Sequence, residues 1–523
     1  MKKVLRPISL ILLSSSLIYL ITHLPSLTLL PVFADEAIYI RWAQLILDDW
    51  RQYLFFPLND GKTPLFVWLT VGSLKIFTDP LLAGRLVSLI VGLIQVWITA
   101  LTVKKLGGKT ISIWFAALAV IWLPFWYFHH RMALMDGLLV LLLSISFKNL
   151  ITAGSVPSKK LRSIGSAGVF FGLALLTKLP ALLFIPMLIL APWLVKSKKT
   201  DPAKIISWSA TTILIGLLVF LTFKLHPAFG QLFNRGNDFL YSINDVLAVG
   251  IWPIVLTNTT HVWQVLNAYL TWPILILPLW GFWETSRNQQ ARWFNKHLLL
   301  ILATLSFLAP VIMLSRVIYP RYLLPAAIPL TISASLAFEQ FFITTRQLIK
   351  KPFIFLIRTS LLIFGLTFIT TTALNFALIS WQNPNYLPFT EADIEQYLRG
   401  WSAGNGIKDT TDYLLTETKN HTIAVATEGY FGTLPDGMLM YLHNQDVTNI
   451  LVEGIGQPVR LIPEDFVQKT QHFEKIWLVV NSHRQMMDLI NNQNALLLQN
   501  YCRISNAPCL EVWDVTALVR QQP

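Results

Sequence analysis

Apolar stretches long enough to span a bilayer recur along the first three quarters of this chain, and Lys and Arg gather in every second connection between them. A helix crossing a hydrocarbon core of ~30 Å needs roughly 17–25 such residues. The runs fall near 5–24, 81–103, 111–128, 133–150, 164–177, 179–195, 205–225, 262–283, 298–314, 322–343 and 353–377, about eleven spans. The two around Lys178 are short and read equally as one bent segment. Lys2, Lys3 and Arg6 precede the first run, and Lys104, Lys105 and Lys109 follow the second. Further clusters are Lys148, Lys159, Lys160 and Arg162; Lys196, Lys198, Lys199 and Lys204; Arg287, Arg292 and Lys296; and Arg346, Lys350 and Lys351. All fall on one side if the N-terminus is inside, and the positive-inside rule makes that side the cytoplasm. A count shifted by one would scatter them.

Composition agrees. Charged residues make up 13% of the 523, about half the usual ~25%. This excludes a soluble enzyme, a disordered chain and a nucleic-acid binder, and leaves a polytopic α-helical membrane protein. Much of the net charge of +13 is cytoplasmic loop charge that sets topology. The simplest location is a prokaryotic plasma (inner) membrane, with a multi-pass chain whose N-terminus is cytoplasmic. The first run has a rival reading as a signal peptide cleaved near Val32-Phe33-Ala34. Its apolar stretch, about 8–30, exceeds the ~7–15 residues of a signal core, which favours a retained helix.

The expected organisation is a transmembrane domain over 1–379 and a small extracytoplasmic α/β domain over 380–523. Two long external loops are expected, at about 25–80 and 226–261; loops of that length are usually functional or structured. Within the first, 36–48 has the pattern of an interfacial amphipathic helix, and 65–77 reads as another helix or a re-entrant segment. In the tail, strands are expected at 422–427, 448–452, 476–480 and 510–515, and helices near 391–398, 407–418 and 484–491. Cys502 and Cys509, the only cysteines, lie in this domain, where a disulfide and two free thiols are both open readings.

Asp35 and Glu36 follow the first run on the outer side. Asp136 lies about one turn inside the fourth run near the same surface, where an acidic residue is costly and marks function by default. Its ordinary alternative is an ion pair with Arg131, His129 or His130. Lys62, Arg85, Arg131, Lys178, Arg316 and Arg321 are cations at that face. Any one of them is explained by snorkelling, but together with isolated carboxylates they suit a phosphate-bearing lipid. No clear metal signature is present and no cofactor is firmly expected. His129, His130 and Asp136 are the one grouping that could hold a divalent metal, although adjacent histidines point apart on a helix.

Asp35-Glu36, followed by Gly61-Lys62-Thr63-Pro64-Leu65, resembles the opening external motifs of GT-C glycosyltransferases of the protein O-mannosyltransferase and lipid A aminoarabinose transferase type. Ala83-Gly84-Arg85-Leu86, Ala133-Leu134-Met135-Asp136, Leu176-Thr177-Lys178 and Tyr319-Pro320-Arg321-Tyr322-Leu323-Leu324-Pro325 resemble further segments of that family. The likeness covers about 5–345; Thr63 departs from it, standing where the family often has a proline. The resemblance implies transfer of a sugar from a polyprenyl-phosphate donor to an extracytoplasmic lipid, glycan or protein, with inversion. A phosphate leaves as a stable anion and needs cations rather than an acid, so one carboxylate base is enough. On this reading Asp35 is the base. Lys62 and Arg321 bind the lipid phosphate with Tyr322, and Lys178, Arg131 and Arg85 complete its surroundings. Asp136 positions the acceptor, orients a cation or holds a metal. Glu36 is a secondary acidic candidate that could instead fix the loop through Arg41 or a backbone N–H. Two other readings stand beside this one: a transporter or flippase of a lipid-linked sugar, which would usually show repeated halves and polar breaks at mid-membrane, and an inactive glycan-binding scaffold.

Overall fold

A computed structural model describes residues 2–195, 200–234, 236–505 and 507–521. Lys196, Lys198 and Lys199, counted above in a basic cluster, lie outside the described residues, as does Asn506 between the cysteines. Among the described residues six helices are long and apolar enough to cross a membrane: Pro80–Lys105, Met135–Ser155, Pro202–Leu225, Ala291–Leu314, Pro320–Lys350 and Pro352–Gln382. Shorter apolar helices are Ile8–His23, Leu65–Leu74, Thr110–Trp122 and Leu179–Val195. The apolar run expected at 262–283 is two helices, Ile251–Leu270 and Trp272–Arg287. They part at Thr271, whose φ is 69°, because Pro273 has no N–H to continue the ladder. The first of the two starts inside the expected 226–261 loop. It meets the Ile243–Val249 helix at a 96° bend, which Gly250 makes with a φ of 83°.

The chain divides into two compact units. The first comprises Met1–Pro25, Phe55–Phe66 and Val87–Gln382 and is helical. Its close packing is made by small residues. Gly168 and Gly172 lie one turn apart on the Lys160–Leu175 helix and face Gly216 of Pro202–Leu221. A Cβ on Gly168 would come within 2.8 Å of the Thr212 carbonyl oxygen, and one on Gly172 within 2.9 Å of that of Gly216. Water gives no drive for association between helices surrounded by lipid, so such backbone approach supplies much of the packing. The outer helix Pro352–Gln382 shows Phe353, Leu356, Leu361, Ile363 and Phe364 on its surface, which suits hydrocarbon and not water. Lys296, read above as a topology charge, is buried, and its ammonium donates to the Leu106 carbonyl just past the Pro80–Lys105 helix. It thus serves one of the orphan carbonyls of a helix end.

The second unit comprises Ser26–Leu54, Val67–Leu86 and Asn383–Pro523. It holds a five-stranded sheet in the order β2-β1-β3-β5-β4. The strands are β1 (Ile423–Thr427), β2 (Ile450–Gly454), β3 (Lys475–Asn481), β4 (Leu496–Tyr501) and β5 (Leu510–Asp514). β1 pairs in parallel with β2 and β3, and β5 runs antiparallel to β3 and β4. β1 is fully buried and packs with Ile476, Leu478, Val480 and Trp513. β4 was not expected from the sequence, being an edge strand with most side chains exposed and so without a clear alternation. Cys502 and Cys509 are disulfide-bonded across the β4–β5 connection. No helix forms at 485–491, because the backbone there is spent elsewhere: Val459 N–H donates to Arg484 O, and Met486 N–H to Val459 O.

The expected interfacial helix is Ala34–Asp48, but it is not half-exposed. Ala37, Ile38, Tyr39, Ile40, Trp42, Ala43, Gln44 and Ile46 are all buried. Gln44 donates its side-chain amide to the Met440 carbonyl at 2.9 Å, and Ala34 N–H donates to Ser402 O. The helix is therefore a core element of this unit. For the helical unit, Gly168→Val should cost about 1–3 kcal/mol through overpacking against backbone, read as a lowered unfolding temperature in detergent. Gly165→Ala, on the same helix with open space at its Cβ, should be neutral.

Candidate functional site

In the first unit Asp136 sits in the first turn of Met135–Ser155, where the positive end of the helix dipole favours a carboxylate. Lys178 occupies an extended position, φ −165°, between the Lys160–Leu175 helix and the turn Leu179–Phe184. Its ammonium donates to Asp136 Oδ1 at 2.8 Å, with Asp136 nearly buried and Lys178 partly open. The same ammonium lies 4.5 Å from the centre of the Tyr322 ring. The Arg321 guanidinium lies 5.5 Å from that ring and 5.1 Å from Tyr319. Two cations thus share one aromatic ring, a favourable arrangement for each, with Asp136 compensating one of them.

Leu65 N–H donates to the Leu176 carbonyl at 3.2 Å, which joins the segment after Lys62 to the segment before Lys178. Gly61, with φ 67°, closes the short Phe56–Asp60 helix and turns the chain into Lys62. The Lys62 ammonium is 3.7 Å from Asp60 Oδ2, and both side chains are partly exposed. Arg131 does not behave as expected. Its guanidinium donates to the His23 carbonyl and, at 2.9 Å, to that of Pro25. It covers the Tyr127 ring and is nearly buried. These contacts tie down the end of the Lys2–His23 helix. Of the partners open to Asp136, the structure places Lys178 against it as an ion pair. Among the described residues no group of three or more His, Cys, Asp and Glu side chains could hold a metal ion.

In the second unit Asp35 and Glu36 open the Ala34–Asp48 helix. Asp35 is half-buried. Glu36 is 0% exposed and forms a two-pronged pair with Arg85, itself 1% exposed, at 2.7 and 2.9 Å. Glu36 Oε2 also accepts from Phe33 N–H at 3.0 Å, closing the helix start. The remaining Arg85 donors go to the carbonyls of Leu27, Leu30 and Pro31 at 2.8, 2.8 and 3.2 Å. The expected phosphate role of Arg85 does not fit, since its fork is spent on Glu36 and backbone. Of the contacts expected for Glu36, Arg41 or a backbone N–H, the structure shows the Phe33 N–H, with Arg85 beside it. Nearby, burial raises the Tyr441 hydroxyl above its ordinary pKa against the lowering pull of Arg85, so it stays protonated at neutral pH.

Two participants were missed in the sequence. Tyr319 supports Arg321, and its signal was its place directly before Pro320-Arg321. Asp60 faces Lys62, and a carboxylate two residues away was the available hint.

Residues 61–226 match the family model described as dolichyl-phosphate-mannose-protein mannosyltransferase. No curated protein sequence gives a significant match. Among solved structures, ArnT from Cupriavidus metallidurans in the apo state is similar at 16% identity, covering 98% of each chain with a TM-score of 0.58. The same protein bound to undecaprenyl phosphate is similar at 16% identity, 97% of each chain and a TM-score of 0.54. The archaeal oligosaccharyltransferase AglB from Archaeoglobus fulgidus, in complex with an inhibitory peptide and a dolichol-phosphate, is 12% identical. That match covers 91% of this chain and 69% of AglB, with a TM-score of 0.53. Residues 61–226 thus match that mannosyltransferase family model, and the chain as a whole shares the fold of the ArnT and AglB structures.

Proposed function

We propose that the protein is a multi-pass membrane glycosyltransferase that moves a sugar from a polyprenyl-phosphate-linked donor to an extracytoplasmic acceptor, with inversion. The observation that carries this reading is the cation group of the first unit, with Lys178 paired to Asp136 and sharing the Tyr322 ring with Arg321. Positive charge kept at the end of an apolar helix bundle suits an anionic lipid headgroup. The polyprenyl and dolichyl phosphates bound in the ArnT and AglB structures are ligands of that chemistry. The positive clusters support a cytoplasmic N-terminus and an inner-membrane location.

In the reaction, the acceptor hydroxyl gives its proton to Asp35 as its oxygen attacks the anomeric carbon from the face opposite the phosphate. The new C–O bond forms as the bond to the phosphate oxygen breaks, through an oxocarbenium-like state. The lipid phosphate departs with the electron pair, and Lys62, Lys178 and Arg321 stabilise its charge. Tyr322 holds the two cations in place, and Asp136 orients Lys178. Glu36 and Arg85 act one step back, by fixing the helix start that carries Asp35.

Three outcomes test these roles on the full chain in nanodiscs supplied with a labelled polyprenyl-phosphate sugar. Asp35→Asn should lower transfer by ~10²–10⁴-fold while donor binding is kept; undiminished transfer removes Asp35 as the base. Lys178→Met should weaken polyprenyl-phosphate binding by about 10–100-fold, the worth of one charged hydrogen bond. Arg85→Met leaves Glu36 buried and unpaired, so it should destabilise the fold by roughly 3–5 kcal/mol. Donor affinity in the fraction that stays folded should not change, and a selective loss of donor affinity would return Arg85 to the phosphate site.

A further inference from the structure

The carboxyl ends of the parallel strands in the second unit carry a group of residues that the transfer reaction above does not use. β1 is flanked by β2 on one side and β3 on the other, so the chain leaves it in opposite directions. Open α/β sheets bind ligands at such a switch point, beyond the carboxyl ends of the strands. The loop after β1 is Glu428 to Thr433, that after β2 begins at Gly454, and that after β3 at Asn481.

These loops are held firmly. Ile455 N–H donates to Thr427 O at 2.8 Å, and Gly429 N–H to Gly456 O at 2.9 Å. Gly429 and Gly456 adopt φ of 71° and 110°, open to glycine at little cost. A Cβ on Gly454 would lie 2.1 Å from the Gly429 carbonyl oxygen, so the two loops touch through backbone. Further along, Gly432 N–H donates to Asp436 Oδ2 at 2.8 Å, and Thr433 Oγ1 to Trp401 O at 2.9 Å.

On this scaffold Tyr430 is 70% and Phe431 54% exposed, and Trp401 is also open. A loop so closely stapled could have turned these rings inward, yet it presents them. Beside them Arg484 lies 4.4 Å from the Trp401 ring centre and donates to Gln457 Oε1 at 2.6 Å. Its charge is met by the buried Glu428, 3.3 Å away, which also accepts from Asn481 Nδ2 at 2.6 Å and Asn481 N–H at 2.9 Å. The edge therefore offers open aromatic faces and oriented amide and guanidinium groups whose charge is cancelled.

We propose that this edge binds the acceptor and that the acceptor is a carbohydrate. A pyranose ring has a face of C–H groups that packs on an aromatic ring and a rim of hydroxyls that meets planar polar side chains. A phosphate would ask for uncompensated cations, and a lipid chain would strip water from the exposed Arg484–Gln457 pair and offer no hydrogen bond in return. The edge also lies beside the residue assigned as base: a Cβ on Gly432 would come 3.9 Å from that of Ala34, which precedes Asp35, and 3.2 Å from the Trp401 ring. The inference rests on the transferase reading for the word acceptor, but not for the binding itself.

The test uses the full-length protein in nanodiscs on a printed array of neutral and acidic oligosaccharides, with a Ser/Thr-rich peptide as a second probe. The wild type should bind a set of neutral oligosaccharides, and the combined Tyr430→Ala, Phe431→Ala variant should lose at least tenfold of that signal. Both side chains are largely exposed, so its unfolding temperature and its binding of undecaprenyl phosphate should equal those of the wild type. Asp35→Asn should bind the same glycans as the wild type. Glycan binding by the wild type with no sugar transfer from the polyprenyl-phosphate donor would sink the transferase reading and leave this site standing. Equal glycan binding by the double variant, or wild-type binding to the peptide and to no glycan, would overturn the site.

Discussion

An ammonium among apolar helices has to find a counter-charge, and Lys178 finds Asp136 at 2.8 Å. Much of the first unit around this pair can be read from that need. Asp136 is tolerated because it opens a helix, where the unpaired amides favour an anion. Lys178 is tolerated because it stands at a break between helices, with its stem against protein and its tip on Tyr322. Arg321 lies over the same ring at 5.5 Å. Two cations gathered on one ring are the arrangement on which the proposed phosphate site is built.

Adjacent acidic residues take different work in the second unit. Glu36 turns inward and is spent on Arg85 and on the amide that starts its helix, whereas Asp35 stays half-buried. The cost of burying the Glu36 charge is offset by the fork geometry of arginine. That pair fixes the backbone from which Asp35 projects, so the two residues of the motif divide into a positioning group and a proposed reacting group.

The apolar runs and their charge alternation made the membrane fold legible, because a ~30 Å hydrocarbon layer imposes a length on any helix that crosses it. Most strands of the tail were legible through short β-branched stretches. Three features were hidden for identifiable reasons. The break at Thr271 lay inside an unbroken apolar run, since hydropathy does not register a missing amide hydrogen. The Ala34–Asp48 helix had an amphipathic pattern, but its polar face is also covered, and covering depends on residues such as Met440 hundreds of positions away. Arg85 and Arg131 were recognised as cations, yet residue type alone cannot tell a guanidinium that meets backbone carbonyls from one that meets a ligand. Lys178, Asp136, Arg321 and Tyr322 were legible as separate motifs, and only the fold brings them into one group.

The second unit is assembled from three stretches of chain, 26–54, 67–86 and 383–523. During synthesis the Ala34–Asp48 helix is made early, but the residues that bury it arrive only after every apolar helix has been translated. Its contacts are of very high contact order, so this unit closes late, with an apolar surface waiting for its cover in the meantime. The tail is accordingly no detachable module. Residues 383–523 made alone would keep the apolar cluster around β1 and β3 but lack the helix that packs beside Met440, and a chain ending at 382 would leave that helix bare.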